Sequence, residues 1–148
     1  MKKFAVLSLF AIFLVSCINV DQPPKHAAEA AAASDGVFLH VSGNDPHRVL
    51  MALRMAELMS NEHDVLIYFD INGIEVVLKD SPDITYAQFP SSHLQIKKLI
   101  EAGVLLQACP ACLEAAGKSA GDLIEGVTIA DKKAFFNFTE GRILTLDY

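Results

Sequence analysis

Two cysteines separated by two residues, Cys109 and Cys112, are the side chains best suited to chemistry in this sequence. The apolar run 104–108 before them predicts a buried strand, and residues 113–117 after them predict a short helix that ends at a glycine. A cysteine at such a junction lies at a helix N-terminus, where unpaired N–H groups and the helix dipole stabilise a thiolate. Pro110 suits the first helical position, which needs no N–H donor. The spacing therefore predicts a nucleophile at Cys109 and a resolving thiol at Cys112.

The same cysteine pair has other interpretations. It also fits a permanent disulfide or two inert buried thiols, because thiols outside the cytoplasm are often oxidised. A zinc site would need two more ligands, and the sequence has no second CxxC and no HxxxH. It has no glycine spacing typical of a nucleotide-binding loop either. We therefore expect neither a metal nor an organic cofactor.

The N-terminus has the pattern of an export signal. A basic start is followed by an apolar run, residues 4–15, that is too short to span a bilayer. The run ends in Leu-Val-Ser before Cys17, which resembles the lipobox of bacterial lipoproteins, where the cysteine is acylated. The alternatives are an ordinary signal peptide cut nearby, or a core helix. We predict a signal peptide and lipobox over residues 1–17 and a lipid anchor on Cys17, with the folded part on the periplasmic side of a bacterial membrane.

Residues 18–35 predict a flexible tether, because they combine two prolines with an alanine-rich stretch and have little to bury. The folded domain is predicted over residues 36–148, which is enough chain for one hydrophobic core and too little for two. Removal of Lys2 and Lys3 with the signal lowers the basic count from 12 to 10 against 18 acidic residues, a net charge of −8. This charge argues against a nucleic-acid partner.

Strands and helices alternate along the predicted domain. Strands are predicted at 36–42, 64–70, 104–108, 127–129 and 143–147, helices at 46–60, 91–102 and 131–140, and short helical segments at 71–79 and 121–126. Asp45 is predicted to cap the first helix, with Pro46 at its first position. This alternation predicts an α/β fold with a mostly parallel sheet covered on both faces.

Apolar side chains at helical spacing are assigned to the core. They are Leu94, Ile96, Leu99 and Ile100 in the second helix, Phe135, Phe136 and Phe138 in the last helix, and Met51, Met55 and Met59 in the first helix. The first helix is apolar nearly all round, so a contact with a neighbouring subunit is an alternative for its methionines.

The carboxyl ends of the strands are the expected place for a ligand cleft, because parallel α/β sheets bind ligands there. Cys109 follows one strand, Asn44 and His47 follow another, and Asp70 follows a third. These three residues form a candidate ligand cleft beside the cysteines. An imidazole at this edge, from His40 or His47, would help to ionise Cys109, although such histidines are more often structural.

The order of these segments resembles the DsrE/DsrF-like family of small sulfur-handling proteins. The resemblance is carried by the block from Val104 through Cys109 to Gly117, by Asp122–Ile124 with Gly126 and Val127, and by the opening Phe38–Val41. It implies a three-layer α/β/α sandwich with a five-stranded sheet, assembled as a trimer or hexamer. It also implies that Cys109 accepts sulfane sulfur as a persulfide. Cys112 has no counterpart in the single-cysteine carriers, but some members have a CxxC here.

Together these features predict a membrane-tethered sulfur carrier or thiol-redox protein that acts through Cys109 and Cys112. Because the chain carries an export signal, the cytoplasmic relay partners of the family and its tRNA role are not expected here, and the sulfur donor and acceptor are unknown. The alternative is a non-catalytic oligomeric or small-ligand-binding module in which the CxxC is structural.

Overall fold

A computed structural model describes residues 33–148. Its five strands are all parallel and run in the spatial order β4-β3-β2-β1-β5. They are β1 Gly36–Val41, β2 Asp64–Phe69, β3 Leu105–Ala108, β4 Val127–Ile129 and β5 Ile143–Asp147. The helices are α1 Pro46–Met59, α2 Ser92–Glu101, α3 Pro110–Ala115 and α4 Ala134–Asn137, with 3₁₀ turns at Ile71–Val77 and Ala120–Asp122. The predicted α/β fold with a parallel sheet is confirmed.

Two parts of the predicted organisation lie outside this range. The signal peptide with Cys17, and the tether as far as residue 32, are not among the described residues. Within residues 33–148, no helix is long and apolar enough to cross a membrane.

The start of α1 follows directly from the sequence. The side chain of Asp45 accepts a hydrogen bond from the backbone N–H of Arg48 at 3.0 Å, and Pro46 occupies the first helical position. The predicted cap is therefore confirmed. The helix buries Val49, Leu50, Ala52, Leu53 and Ala56 in the core.

The two faces of the sheet have different coverings, because side chains alternate along each strand. Val37, Leu39 and Val41 of β1 are buried in the core that also holds the apolar side of α1. Phe38 and His40 point to the opposite face, where the ring of Phe135 packs edge-on against Phe38 at 5.5 Å between ring centroids. This second face carries the aromatic and polar side chains that lead to the cysteines.

The last helix is shorter than predicted. The sequence pattern covers residues 131–140, but α4 has only the four residues Ala134–Asn137. Phe135 packs on the sheet as predicted, whereas Phe136 is 75% exposed, so its assignment to the core was wrong. Neighbouring residues in a single helical turn point about 100° apart, and both rings therefore cannot face the same sheet.

The inward side of α2 also differs from the prediction at one position. Leu94 is 48% exposed, and its predicted burial was wrong, whereas Ile96 and Leu99 are buried as expected. Gln95 is buried in its place, and its side-chain N–H donates to the carbonyl of Pro90 at 2.7 Å. This hydrogen bond satisfies a backbone carbonyl of the loop before the helix. Because Gln95 faces inward, its neighbour Leu94 lies on the solvent side of the helix.

Candidate functional site

Cys109 lies where β3 passes into α3, as the sequence predicts. Its backbone N–H donates to the carbonyl of Phe69 at 2.8 Å, which fixes the cysteine to the end of the neighbouring strand β2. Its sulfur is the N-cap of α3 and accepts the backbone N–H of Cys112 at 3.4 Å, with Pro110 in the first turn. Both cysteines are free thiols and half-buried.

The sulfur of Cys112 is held by a turn from another part of the chain. The backbone N–H of Ile71, just after β2, donates to Cys112 Sγ at 3.1 Å. Ile71 has φ +47°, a left-handed conformation that is costly for a β-branched side chain, and it is 61% exposed. The turn is kept in place by the hydrogen bonds from Asp70 N–H to the Val41 carbonyl and from Gly73 N–H to the Asp70 carbonyl. The left-handed conformation of Ile71 therefore directs its N–H group toward the sulfur of Cys112.

Hydrogen bonds favour the ionised form of Cys109. Burial acts in the opposite direction, but interactions with the side chains of Cys112 and Tyr68 and with the backbone N–H groups of Cys112 and Ala111 outweigh it. The N–H of Cys112 is the donor that lies in hydrogen-bond geometry, at 3.4 Å from the sulfur. The combined effect of these interactions lowers the pKa of the Cys109 thiol below its ordinary value. Cys109 is thus the thiol of the pair that ionises first.

The pKa of the Cys112 thiol is shifted in the opposite direction, above its ordinary value. Its hydrogen bond to Cys109 and its burial raise the pKa of the Cys112 thiol, and the negative charges of Cys109 and Asp70 act in the same direction. The N–H of Ile71 opposes them without reversing the result. The two pKa values are therefore shifted in opposite directions, and Cys109 loses its proton at lower pH than Cys112 does.

Tyr68 and His40 extend the site along the second face of the sheet. Burial and the hydrogen bond to Cys109 raise the pKa of the Tyr68 hydroxyl well above its ordinary value, so it remains a donor. The ring of His40 stacks on Tyr68 with 5.9 Å between ring centroids. Its two nitrogens each lie 2.9 Å from a carboxylate oxygen, Nε2 from Asp70 and Nδ1 from Asp147. A continuous set of polar groups thus links the ends of β1, β2, β3 and β5.

Sequence reasoning missed Tyr68 and Ile71. Tyr68 lies within an apolar run that predicts only a strand, and no residue pattern signals a left-handed isoleucine. The alternation of β2 does place Tyr68 on the same face as His40 and Cys109 once the register is known.

The residues of the predicted ligand cleft fall into two places. Asp70 lies with the cysteines and His40. The side-chain amide of Asn44 instead donates to Glu75 at 2.8 Å, and the ring of His47 stacks on Tyr86 at 4.7 Å between centroids. The contacts of Asn44 and His47 thus do not join them to the cysteine pair.

No group of three or more His, Cys, Asp or Glu side chains in residues 33–148 is arranged to hold a metal ion. The side chains of the site itself are two thiols, with the hydroxyl of Tyr68 beside them as a hydrogen-bond donor.

The fold and the site together define a small parallel α/β protein with a CxxC motif at a strand–helix junction. The sequence model of the DsrE/DsrF-like family matches residues 25–141, which is most of the chain. The protein belongs to the DsrE/DsrF-like family.

Solved structures support the same fold. The chain resembles MTH1491, a protein of unknown function from Methanobacterium thermoautotrophicum, with 22% identity and a TM-score of 0.55 over 75% of this chain and 98% of that one. It resembles the ychN protein from E. coli with 17% identity and a TM-score of 0.55, over 76% of this chain and 99% of that one. Among functionally curated proteins, none matches the sequence.

Proposed function

We propose that this protein is a sulfur carrier, with Cys109 as the thiol that accepts sulfane sulfur and Cys112 as its resolving partner. The observation that carries the proposal is the environment of the Cys109 sulfur. The sulfur caps the N-terminus of α3 and accepts the N–H of Cys112 at 3.4 Å, and the neighbouring Cys112 and Tyr68 side chains also act to lower its pKa. Family membership supports it, since sulfur relay or a related function is what the DsrE/DsrF-like family suggests.

Loading is a transfer between thiolates without net oxidation. The Cys109 thiolate attacks the outer sulfur of a donor persulfide, R–S–SH, and forms a bond to it while the donor S–S bond breaks. The products are the persulfide Cys109–S–SH and the donor thiolate R–S⁻. An acceptor thiolate then attacks the same outer sulfur, and the electron pair of the breaking S–S bond returns to Cys109.

Cys112 provides a second route by which the sulfur bound to Cys109 is released. Cys112 loses its proton, and its thiolate attacks the inner sulfur of the Cys109 persulfide. The persulfide S–S bond breaks, a Cys109–Cys112 disulfide forms, and the outer sulfur leaves as hydrogen sulfide with its own proton and the one from Cys112. The two cysteines are oxidised by this step, and the sulfane sulfur is reduced. A dithiol reductant outside the chain must then restore the free thiols. The hydrogen bond from the backbone N–H of Cys112 to Cys109 Sγ supports such a step, because it keeps the resolving residue beside the nucleophile.

The proposal predicts that one cysteine alone accepts sulfur. After incubation with a sulfane-sulfur donor, whole-protein mass spectrometry should show an added sulfur atom on the wild type and on Cys112→Ser, and none on Cys109→Ser. Cys112→Ser is the matched control, since it changes the same atom three residues away. No added sulfur on the wild type, or equal addition to Cys109→Ser, contradicts the proposal and favours a structural role for the pair.

We also propose that the carrier acts from a membrane tether on the periplasmic side of the cell envelope, through a lipid on Cys17. The support is the basic start, the short apolar run and the Leu-Val-Ser-Cys pattern of the sequence. Labelled fatty acid should be incorporated into the wild type and into Cys109→Ser, but not into Cys17→Ala. Label retained by Cys17→Ala would contradict the proposal, because the lipid would then be attached to another residue.

A further inference from the structure

His40 sits between two carboxylates in a way that constrains its protonation. Each ring nitrogen lies 2.9 Å from a carboxylate oxygen, Nδ1 from Asp147 and Nε2 from Asp70. A neutral imidazole has only one N–H, so one of these contacts would then set a nitrogen lone pair against an oxygen. Only the imidazolium has a proton to direct at both carboxylates.

The contact between His40 and Asp70 is more buried than the contact between His40 and Asp147. The Asp70 side chain is 19% exposed and the Asp147 side chain 74%. His40 Nε2 and Asp70 Oδ1 are both buried, and neither makes a well-aligned hydrogen bond to any group. Each therefore depends on the charge of the other, because a lone charge in this position would be poorly solvated.

Asp70 connects this pair to the cysteines. It precedes Ile71, whose N–H donates to Cys112 Sγ at 3.1 Å. Its negative charge raises the pKa of Cys112 and of Tyr68, the two side chains beside the Cys109 sulfur. The same negative charge repels a thiolate at Cys109, because like charges at short range disfavour each other. A positive charge on His40 offsets that field at short range.

We propose that His40 is a positioning residue for the cysteine pair: as the imidazolium, it fixes and neutralises Asp70 and thereby keeps Cys109 reactive. The inference rests on the proposed role of Cys109 as the nucleophile. The groups that act on the ring are Asp70 after β2, Asp147 in β5, and Tyr68, which lies against its face. Their arrangement supports a cationic ring, since aromatic stacking also favours the charged form.

The charge of His40, and with it the ionisation of Cys109, depends on pH. Burial alone would lower the pKa of His40, but the hydrogen bonds and charges of Asp147 and Asp70 outweigh it and raise the pKa above its ordinary value. The ring therefore keeps its charge through the pH at which a free histidine loses it. As pH rises through the His40 pKa, the ring becomes neutral, the charge of Asp70 is unmasked, and the thiolate of Cys109 becomes less favourable.

A double-mutant cycle on the full chain separates this role from a merely structural one. The readout is the pH profile of Cys109 alkylation by iodoacetamide, followed by peptide mass spectrometry. His40→Gln should shift the profile to higher pH and slow alkylation at neutral pH by roughly three- to tenfold. In the Asp70→Asn background, where the charge to be neutralised is absent, the same His40 substitution should have little effect.

Two results would overturn the inference. One is an unshifted profile in His40→Gln, and the other is an equal shift with and without Asp70. An NMR titration of His40 in the wild type gives an independent measurement, and a pKa at or below the ordinary histidine value also contradicts it. Alkylation needs no sulfur donor, so a carrier that fails to load sulfur leaves this experiment interpretable.

Discussion

Replacing Gly73 by alanine is expected to destabilise the protein by about 3 kcal/mol. Gly73 is buried in the 3₁₀ turn Ile71–Val77, which crosses the carboxyl end of β1. A Cβ atom at this position would lie 2.0 Å from the carbonyl oxygen of Val41 and 2.8 Å from its carbonyl carbon. These are backbone atoms of a buried central strand, which cannot move aside as the end of a flexible side chain would.

Urea unfolding of Gly73→Ala beside Gly43→Ala measures the effect. Gly43 is the matched control, because a Cβ built there has no heavy atom within 4 Å beyond its own residue and its two chain neighbours. We expect its free energy of unfolding to change by less than about 0.5 kcal/mol. Equal stability of the two variants would mean that the turn does not approach β1 as closely as described. The same closeness positions Ile71, so Gly73→Ala should also disturb the hydrogen bond to Cys112.

Loss of Cys109 is expected to remove most of the thiol reactivity at neutral pH. The lowered pKa of Cys109 means that its thiolate is populated at lower pH than an ordinary cysteine's, whereas the raised pKa of Cys112 leaves that sulfur protonated. Cys109→Ser also removes the main cause of the raised pKa of Cys112, but burial and the charge of Asp70 remain and still act to raise it. Alkylation at neutral pH should then be about tenfold slower than in Cys112→Ser.

The measurement is the rate of iodoacetamide alkylation of the two single-cysteine variants as a function of pH. Tyr68→Phe serves as a test of cause, because it removes one hydrogen bond to the thiolate and should move the Cys109 profile to higher pH without removing the thiol. Identical profiles for Cys109→Ser and Cys112→Ser would show that the two thiols ionise alike. That result would contradict the opposite pKa shifts described for them.

The sequence was sufficient to predict the strand–helix junction at the cysteines. An apolar run, a proline in the first helical position and a glycine after the helix are local signals, and they placed Cys109 at the end of β3 and the start of α3. The Asp45 cap of α1 was predictable for the same reason. Both features depend on residues within a few positions of one another.

The rest of the site depends on which strands are neighbours, and periodicity carries no such information. β5 pairs with β1 although it is last in the chain, and this pairing brings Asp147 opposite His40. Tyr68 meets Cys109 only because β2 lies beside β3. The left-handed Ile71 could not be anticipated, since it is held by tertiary hydrogen bonds against its own preference.

The most direct test of the central claim is the state of Cys109 in protein taken from its native compartment. Rapid trapping with an alkylating agent, followed by tandem mass spectrometry of the peptide that contains both cysteines, would locate any bound sulfur. The sulfur-carrier account predicts an extra sulfur on Cys109 in part of the protein, with Cys112 either free or joined to Cys109 in a disulfide. A peptide that carries only a complete, permanent Cys109–Cys112 disulfide, or only unmodified thiols under all conditions of sulfur supply, would contradict it.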